Sequence, residues 1–268
     1  MPELPELEII AIRLTENFGD KVIQNVAVYN HLVIHGIEAL EFEAGIIGKK
    51  LNSVKADGKF LLFNLSGGVK IVVNPMLAGR FWVYNAGRAP GKTDIFSLQM
   101  ESTVLWYRDR KQMSRVYLIR GNDFSDVAGF EGRGPSPLDS ELTLKEFTLR
   151  LKRRRGQIKN VLRNQSFVKG IGNAYADEIL LYAGIHPFRR RSTLSEVEVE
   201  SLYQSMKKVL AKYLDLMTQR ELSEFSSEKR NFLMIHGKGG GVCPLCGGRI
   251  SEVRANRFKT NYCQTCQI

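Results

Sequence analysis

The sequence of 268 residues contains few cysteines and no long apolar run. No stretch approaches the about 18 consecutive apolar residues of a membrane span, and no basic-then-apolar leader is present. All four cysteines lie between residues 243 and 266. The disulfides of a secreted protein would be spread along the chain, so this clustering argues against such a fold. We therefore expect a cytoplasmic, nucleoid-associated protein without a membrane partner.

Negative charge is scarce relative to positive charge, with 28 acidic residues against 39 lysines and arginines and a formal net charge of +11. Such an excess suits a polyanionic partner, of which nucleic acid is favoured over an acidic membrane surface. A basic run can also be an ordinary solvated face, so charge alone leaves this choice open. Hydrophobic residues make up 43% of the chain, which is enough for a sizeable core.

The first half of the chain combines one helical pattern with many β-rich runs. Leu7, Ile10, Leu14 and Phe18 have helical spacing and predict a helix over 5–18. The segment ADGKFLLFNLSGGVKIVVNP then predicts two strands, and the runs GRFWVYN, DIFSLQM, TVLWYRD and SRVYLIR continue the pattern. We interpret this half as a β-sandwich with an N-terminal helix.

A glycine- and proline-rich hinge at 129–139 separates this region from a helical one. Helices are predicted over 143–153, 157–163, 173–183 and 195–217, with capping boxes at Thr143–Glu146 and Thr193–Glu196. The segment 218–232 is polar and has little periodicity. The predicted fold is α+β, with a β-sandwich domain at 1–130, a helical domain at 131–222, and a flexible loop with a metal-binding module at 223–268.

The four cysteines form two Cys-x-x-Cys pairs, Cys243 with Cys246 and Cys263 with Cys266, separated by sixteen residues. This spacing predicts one structural Zn²⁺ held by four thiolates, with no open position for chemistry. The residues between the pairs would form a hairpin rich in arginine, which we expect to contact DNA.

A second motif is GIGNAYADE, in which Gly170 and Gly172 open a helix at Asn173. Backbone N–H groups at a helix N-terminus can bind a phosphate, although many such turns are plain helix caps. The basic block RLKRRRGQIK at 150–159 favours the phosphate interpretation.

The N-terminal segment MPELPE places Pro2 beside Glu3, with Glu6 one helical turn further on. We expect removal of Met1 to expose the secondary amine of Pro2. An N-terminal amine titrates near about 8, so roughly a tenth would be neutral and nucleophilic at pH 7. The alternative is an ordinary proline at the start of a helix.

Together these motifs resemble those of the formamidopyrimidine-DNA glycosylase / endonuclease VIII family, of which the chain looks like a divergent member. The resemblance runs in family order from residue 2 to residue 267. Its elements are the N-terminal Pro-Glu-Leu-Pro-Glu, the β-strand lysine of Gly58-Lys59, the helix–two-turn–helix motif Gly-Ile-Gly-Asn-x-Tyr-Ala-x-Glu, Gly-Ile-His-Pro, and a four-cysteine zinc finger ending in Cys-Gln. The helix–two-turn–helix motif alone is not specific, because other nucleic-acid-binding proteins carry it.

The resemblance implies a monomeric base-excision repair enzyme that flips a damaged nucleotide out of double-stranded DNA. Pro2 would attack C1′ and form a Schiff base, the base would leave, and β,δ-elimination would cut the strand. Glu3 would act as general acid/base and Glu6 would support it. Lys59 would contact the phosphate next to the lesion, and Arg257 would assist elimination.

The resemblance also implies a set of DNA-binding residues. They are Met76, Lys111 and Met113 on the intercalating loops, and Arg155, Lys159 and Asn173 in the helical domain. Glu178 matches an acidic motif position with a supporting role.

Several positions depart from the family pattern. Lys111 stands for an arginine and Met113 for a phenylalanine, and lysine lacks the planar fork that pairs with a base edge. The loop read as Lys-His-Asp-His in the family is Gly91-Lys-Thr-Asp94 here and lacks a DNA-contacting histidine. Phe258 takes the place of the elimination-assisting arginine. Either the hairpin register shifts so that Arg257 serves, or δ-elimination is weakened.

The favoured substrates are oxidised purines such as 8-oxoguanine and formamidopyrimidines. Two alternatives remain open. One is a non-catalytic protein on the same scaffold that binds damaged or abasic DNA, and the other is an enzyme with an altered lesion range that includes oxidised pyrimidines or cross-links.

Overall fold

The computed structural model describes residues 1–227, 230–255 and 258–268. The chain forms two compact units, Met1–Glu131 with Met217–Lys229, and Gly132–Leu216 with Arg230–Ile268. The three-part division drawn from the sequence stays a prediction. Within the described part, no helix combines the length and apolar character that crossing a membrane would need.

Among the described residues, the first unit contains two α-helices and nine strands. They are α1 (Leu4–Phe18), β1 (Asn25–Val28), β2 (Ile34–His35), α2 (Ala39–Ile46), β3 (Leu51–Asp57), β4 (Phe60–Leu65), β5 (Val69–Asn74), β6 (Gly79–Asn85), β7 (Asp94–Met100), β8 (Thr103–Asp109) and β9 (Arg115–Arg120). The second unit contains α3 (Leu144–Lys152), α4 (Ile158–Arg163), α5 (Asn173–Ala183), α6 (Glu196–Met217), β10 (Ile250–Ala255) and β11 (Phe258–Cys263).

Helix α1 forms because both of its ends are satisfied and one of its faces is apolar. Glu3 is the N-cap, and Glu3 and Glu6 form a capping box in which each side chain accepts a hydrogen bond from the other residue's N–H. Leu7 and Leu14 are fully buried on the inner face. At the other end the Gly19 N–H donates to the Thr15 carbonyl at 2.7 Å.

The strands of the first unit form two sheets, ordered β1-β7-β8-β6 and β2-β9-β5-β4-β3. All pairings are antiparallel except β2 with β9. Aromatic side chains join the sheets: Phe63 on β4 lies 5.5 Å from Phe81 on β6, ring centre to ring centre. The predicted mixed fold with an N-terminal helix and β-sheets is therefore confirmed.

Some elements were not predicted. Strands β1, β2 and β3 and helix α2 were missed because their short runs mix polar and apolar residues without a clear period. Lys59 also lies differently from the expectation of a strand lysine. It occupies the two-residue turn between β3 and β4, which Gly58 allows with a φ of 66°.

The helices of the second unit match the predicted spans to within a residue at most ends. The Thr143 hydroxyl caps α3 by accepting from the Glu146 N–H at 3.2 Å. The predicted cap at Thr193–Glu196 is wrong. Helix α6 is capped instead by Ser195 and Glu198, whose side chains each accept from the other's backbone N–H, at 3.3 and 2.8 Å.

Candidate active site and metal centre

The first residues of the chain bring one imino acid and two carboxylates together. Pro2 is buried, and Glu3 and Glu6 are only 2% and 6% exposed. The Glu3 N–H donates to Glu6 Oε2 at 3.1 Å. Because the two carboxylates also cap α1, their position is fixed by the helix that carries them.

A narrow pocket with a volume of only about 10 Å³ lies beside these residues. Pro2 lines it together with Leu61 of β4, Arg80 and Phe81 of β6, and Phe225. Leu61 comes two residues after the Lys59 turn, so the structure puts that turn at the end of a pocket-lining strand. Arg80 was missed from the sequence because it alternates with apolar residues in an ordinary strand pattern.

The segment after α6 packs on the same side of the unit. Arg13 of α1 donates to the carbonyls of Thr218 and Arg220, the latter at 2.8 Å. A 3₁₀ turn at Leu222–Ser226 follows, in which Leu222 and Phe225 are buried. Both side chains line the Pro2 pocket, so this polar segment contributes two of its apolar residues to the site.

Two loops of the first unit present apolar side chains. Between β5 and β6, Met76 has a φ of 44°, and its neighbour Leu77 is 40% exposed. Between β8 and β9, Met113 is 43% exposed and Lys111 is exposed. The sequence prediction singled out Met76 and missed Leu77, although a large apolar residue in a short loop is itself a signal of exposure.

Buried Asp109 organises the second of these loops. Its carboxylate accepts hydrogen bonds from the N–H groups of Lys111 at 2.9 Å and of Met113 and Ser114 at 2.8 Å. Burial opposes ionisation of this carboxyl, but hydrogen bonds led by that of the Ser114 hydroxyl lower its pKa on balance. The loop backbone is thus held by Asp109, while the side chains of Lys111 and Met113 are exposed.

The two loops share one support. The Tyr107 hydroxyl donates to Ser114 Oγ at 2.7 Å, and the Gly79 N–H donates to the Pro75 carbonyl at 2.9 Å. A Cβ on Gly79 would lie 2.0 Å from the Tyr107 hydroxyl and 2.7 Å from Ser114 Oγ. Only glycine therefore fits where the loops approach each other.

In the second unit, the glycine turn is largely satisfied by the protein itself. The Gly170 N–H donates to Gln165 Oε1 at 2.8 Å, so it is not available as the predicted phosphate donor. Asn173, at the start of α5, donates through Nδ2 to the Lys259 carbonyl at 2.7 Å. Asn173 therefore connects the turn to β11.

The basic block at 150–159 splits into two groups. Arg150 and Arg154 donate to backbone carbonyls, including that of Ser166 at 3.1 and 2.7 Å. Arg153 and Arg155 are exposed. Lys159 is only 3% exposed, so its ammonium group is buried and does not lie on the surface where the predicted direct contact with DNA would be made.

Lys159 belongs to a buried polar cluster centred on Asp177. Its Nζ lies 2.6 Å from Asp177 Oδ1 and 2.9 Å from Thr260 Oγ1 of β11. Asp177 Oδ2 shares a 2.7 Å hydrogen bond with His236 Nδ1 and accepts from the Asn261 N–H at 3.1 Å. This one carboxylate therefore ties α4 and α5 to the β10–β11 hairpin.

Glu178, the next residue, anchors the chain leading to the hairpin. Its fully buried carboxylate accepts from the N–H groups of Met234, Ile235 and His236, each at 2.9 Å. The Tyr213 hydroxyl donates to the same carboxylate, and burial, followed by the charge of Glu178, raises the pKa of Tyr213. Glu178, which was expected to have a supporting role, therefore accepts four hydrogen bonds and holds residues 234–236 against α5 and α6.

The four cysteines converge on one point, with their Sγ atoms all within 4.8 Å of one another. Cys243 lies 3.9 Å from Cys266, and Cys246 lies 3.5 Å from Cys263. A tetrahedral ion at about 2.3 Å from each sulfur needs sulfurs roughly 3.8 Å apart, so the cluster can hold a metal ion. The N–H groups of Gly248 and Cys266 point at sulfurs of this cluster, at 3.3 and 3.4 Å.

The hairpin between the cysteine pairs has a defined register, from Ile250 opposite Cys263 to Ala255 opposite Phe258. Arg257, predicted to assist elimination, lies outside the described residues. Phe258 is 47% exposed, and the Arg163 guanidinium lies 3.8 Å from the centre of its ring. Phe258 thus packs against a cation of α4 and has no polar group of its own to offer.

Comparison with known proteins gives consistent matches along the whole chain. Two family profiles match: "Formamidopyrimidine-DNA glycosylase N-terminal domain" over residues 1–116 and "Formamidopyrimidine-DNA glycosylase H2TH domain" over 133–223. The formamidopyrimidine-DNA glycosylase of Pelotomaculum thermopropionicum is 33% identical over 275 residues, 100% of this chain and 99% of that one. That of Moorella thermoacetica is 33% identical over 262 residues, 95% of each chain.

Solved structures share the fold. A complex of Lactococcus lactis Fpg with DNA containing an abasic site has a TM-score of 0.90, with 24% identity and 99% of each chain covered. A complex of the same protein with THF-DNA and an inhibitor has a TM-score of 0.91 over 100% of both chains. At this identity the likeness establishes the fold, and it agrees with the predicted architecture.

Proposed function

Because the chain belongs to the formamidopyrimidine-DNA glycosylase family, we propose that it is a DNA glycosylase and AP lyase that acts on oxidised bases in double-stranded DNA. The observation that carries this proposal is that Pro2 and Arg80 line one narrow pocket, with the buried carboxylate residue Glu3 directly following Pro2 in the chain. Oxidised purines such as 8-oxoguanine and formamidopyrimidines are the proposed substrates, and the enzyme works as a monomer on the DNA of the nucleoid.

The reaction begins once Met1 is removed and Pro2 carries a free secondary amine. The nitrogen lone pair forms a bond to C1′ of the damaged nucleotide, and the bond from C1′ to the base breaks with its electrons leaving on the base. Opening of the sugar ring then gives an iminium, as O4′ takes a proton. Glu3, buried beside Pro2, supplies and removes protons on the sugar side.

Strand cutting follows from the same iminium. It acidifies the C2′ proton, and loss of that proton breaks the C3′–oxygen bond in β-elimination. In a second elimination the C4′ proton is lost and the C5′–oxygen bond breaks, and water then hydrolyses the remaining iminium and frees the Pro2 amine. The apolar walls at Leu61, Phe81 and Phe225 keep water from the iminium, which favours elimination over hydrolysis.

DNA binding is assigned to exposed side chains on both units. Met113 and the pair Met76–Leu77 fill the space left by the flipped nucleotide, as apolar wedges do in bent duplexes. Lys111 faces the orphaned base. Arg155 contacts phosphate, and Lys159 acts by positioning the hairpin through Asp177.

We assign Zn²⁺ to the four-cysteine cluster. With Cys243, Cys246, Cys263 and Cys266 as its ligands, the ion would have no open position. Its role is to hold the ends of the β10–β11 hairpin together, and the chemistry stays with Pro2.

Borohydride trapping on abasic duplex DNA tests the proposal. We expect a covalent adduct for the native protein and strongly reduced trapping for Pro2→Gly, with DNA affinity kept within about threefold, since a primary amine replaces a secondary one. A native protein that binds abasic DNA but forms no adduct would be a binding protein, and the lyase proposal would fail. Base release from a lesion panel then decides between oxidised purines, oxidised pyrimidines and cross-links.

A further inference from the structure

A second opening lies beside the Pro2 pocket in the first unit. This groove is much roomier than the pocket, with a volume of about 520 Å³ against about 10 Å³. Its lining combines three arginines, one tryptophan, three hydroxyl-bearing residues and two apolar residues: Arg80, Arg108, Arg110, Trp82, Thr93, Ser226, Ser227, Leu77 and Ala78. No acidic residue is among the described residues that line it.

Arg80 connects the two spaces, because it lines both the Pro2 pocket and the groove. It extends from β6, directly after Gly79, and its guanidinium donates to the Gly79 carbonyl at 2.7 Å. Leu77 forms part of the groove's edge next to the intercalating loop. A strand with one nucleotide in the pocket would therefore run directly into the groove.

Trp82 offers a stacking surface inside the groove. Its ring is partly exposed, and the Arg108 guanidinium lies 5.0 Å from the ring centre. The Tyr84 ring lies beside it, 6.2 Å away and parallel within 3°. Any nucleobase can stack on such an aromatic surface because every base has a π face.

One arginine that lines the groove, Arg108, is held in place by the protein itself. Arg108 Nε lies 2.8 Å from the buried Asp94 carboxylate, and another guanidinium nitrogen donates to Thr93 Oγ1 at 3.1 Å. Asp94 also pairs with Arg88 at 2.9 Å, so one negative charge is shared by two cations. With exposed Arg110 and with Arg80, the groove keeps a net positive charge.

We infer that this groove binds the nucleotide next to the damaged one. Arg80 and Arg110 contact its phosphodiester, and its base or sugar packs on Trp82 beside Arg108. The inference rests on the proposed function, because it takes a DNA strand at Pro2 as its starting point. Phosphate contacts fix register, and a stacked neighbour would hold the strand while the damaged nucleotide is flipped.

The test compares three variants in binding to duplexes that carry a stable abasic analogue. Trp82→Leu removes the stacking surface and should weaken binding about tenfold. Arg110→Gln removes one phosphate contact and should lower the slope of log K against log salt by about 0.9. Arg120→Gln, at an exposed arginine on the end of β9, is the matched control and should change neither quantity.

Duplexes in which one phosphate at a time is replaced by an uncharged methylphosphonate locate the phosphate that Arg110 contacts. The native protein should lose affinity when the charge is removed at one phosphate flanking the abasic site, and Arg110→Gln should be indifferent at that position. Arg110 is exposed, so this variant decides the question even if Trp82→Leu unfolds at a lower temperature. Equal responses of the native protein and Arg110→Gln at every phosphate would overturn the inference.

Borohydride trapping of the protein on abasic DNA tests the proposed function independently of the groove. If the native protein forms a borohydride adduct and both groove variants bind like Arg120→Gln, only the groove inference fails. If binding responds as expected but no adduct forms, the groove stands and the lyase proposal fails. A native protein that does not bind abasic duplex would overturn both.

Discussion

Asp109 holds Ser114 at two points: its Oδ2 accepts from the Ser114 N–H at 2.8 Å and from the Ser114 hydroxyl at 2.5 Å. Ser114 in turn accepts from the Tyr107 hydroxyl. The loop that exposes the side chains of Lys111 and Met113 is therefore held from beneath by the buried carboxylate of Asp109.

Asp109→Asn should loosen this loop, because an amide cannot accept from all of these donors as a carboxylate does. We expect a loss of about 1–3 kcal/mol in the free energy of unfolding and weaker binding to abasic duplex. The folded-state pKa of Asp109 is lowered, so its contribution is fully present above its unfolded pKa and is lost as pH falls through the folded value.

Urea unfolding at several pH values checks this. The difference between the native protein and Asp109→Asn should be constant near neutral pH and shrink below about pH 4. Asp126→Asn is the control, since Asp126 is an exposed aspartate of the same unit. A difference that grows in acid would contradict the assignment.

Glu178→Gln should destabilise the second unit, because its amide NH₂ would face backbone N–H donors that the carboxylate now satisfies. We expect the free energy of unfolding to fall by about 2–3 kcal/mol and metal to be released faster to a chelator. Tyr213→Phe removes only one of the four bonds and should have a smaller effect on both. Thermal unfolding and chelator kinetics measure these changes, and equal effects of the two variants would argue against a central role for Glu178.

Lys159 and Arg155 should differ in how they affect DNA binding. Lys159→Gln breaks a buried pair with Asp177 and should lower stability by about 3 kcal/mol, with the salt dependence of DNA binding unchanged. Arg155→Gln should leave stability unchanged and reduce the salt slope by about 0.9. Measuring the DNA affinity of both variants at several salt concentrations distinguishes a residue that positions the hairpin from one that contacts a phosphate. A reduced slope of log K against log salt for Lys159→Gln would show that Lys159 contacts DNA directly.

Metal removal should unfold the hairpin, because the cysteine pairs hold its two ends. We expect amide protection in Ile250–Cys263 to fall after treatment with a chelator, DNA affinity to drop at least tenfold, and both to return with Zn²⁺. The β-sheets of the first unit should keep their protection and serve as an internal control. DNA affinity that survives demetallation would show that the hairpin is not needed for binding.

The structural features that depend only on residues close together in the sequence could be predicted. The helix over α5, the cysteine cluster and strands β4 to β9 follow from periodicity, ligand spacing and turn residues. The α6 cap was misassigned because Thr193 and Ser195 are both followed three residues later by glutamate, and only the chain's approach to the helix selects Ser195.

Burial of polar groups could not be predicted from the sequence. Lys159 lies within a basic run and resembles a surface cation, yet its partner Asp177 is 18 residues away in the chain and Thr260 is 101 residues away. Arg80 and Trp82 likewise show no motif. Their importance comes from a groove formed by residues of β6, β8 and the 3₁₀ turn at Leu222–Ser226 with the serine after it, which no local pattern reveals.

The shared support under the two loops that carry Met76 and Met113 has a consequence for how this protein can change. Gly79, Tyr107, Ser114 and Asp109 are joined through backbone groups and hydroxyls, and none of these bonds involves the side chains at positions 77, 111 or 113. Those three exposed side chains can therefore be exchanged one at a time without disturbing the hydrogen bonds beneath them. Under the proposed function, evolution could alter the preference for the opposing base while the backbone of both loops stays as it is.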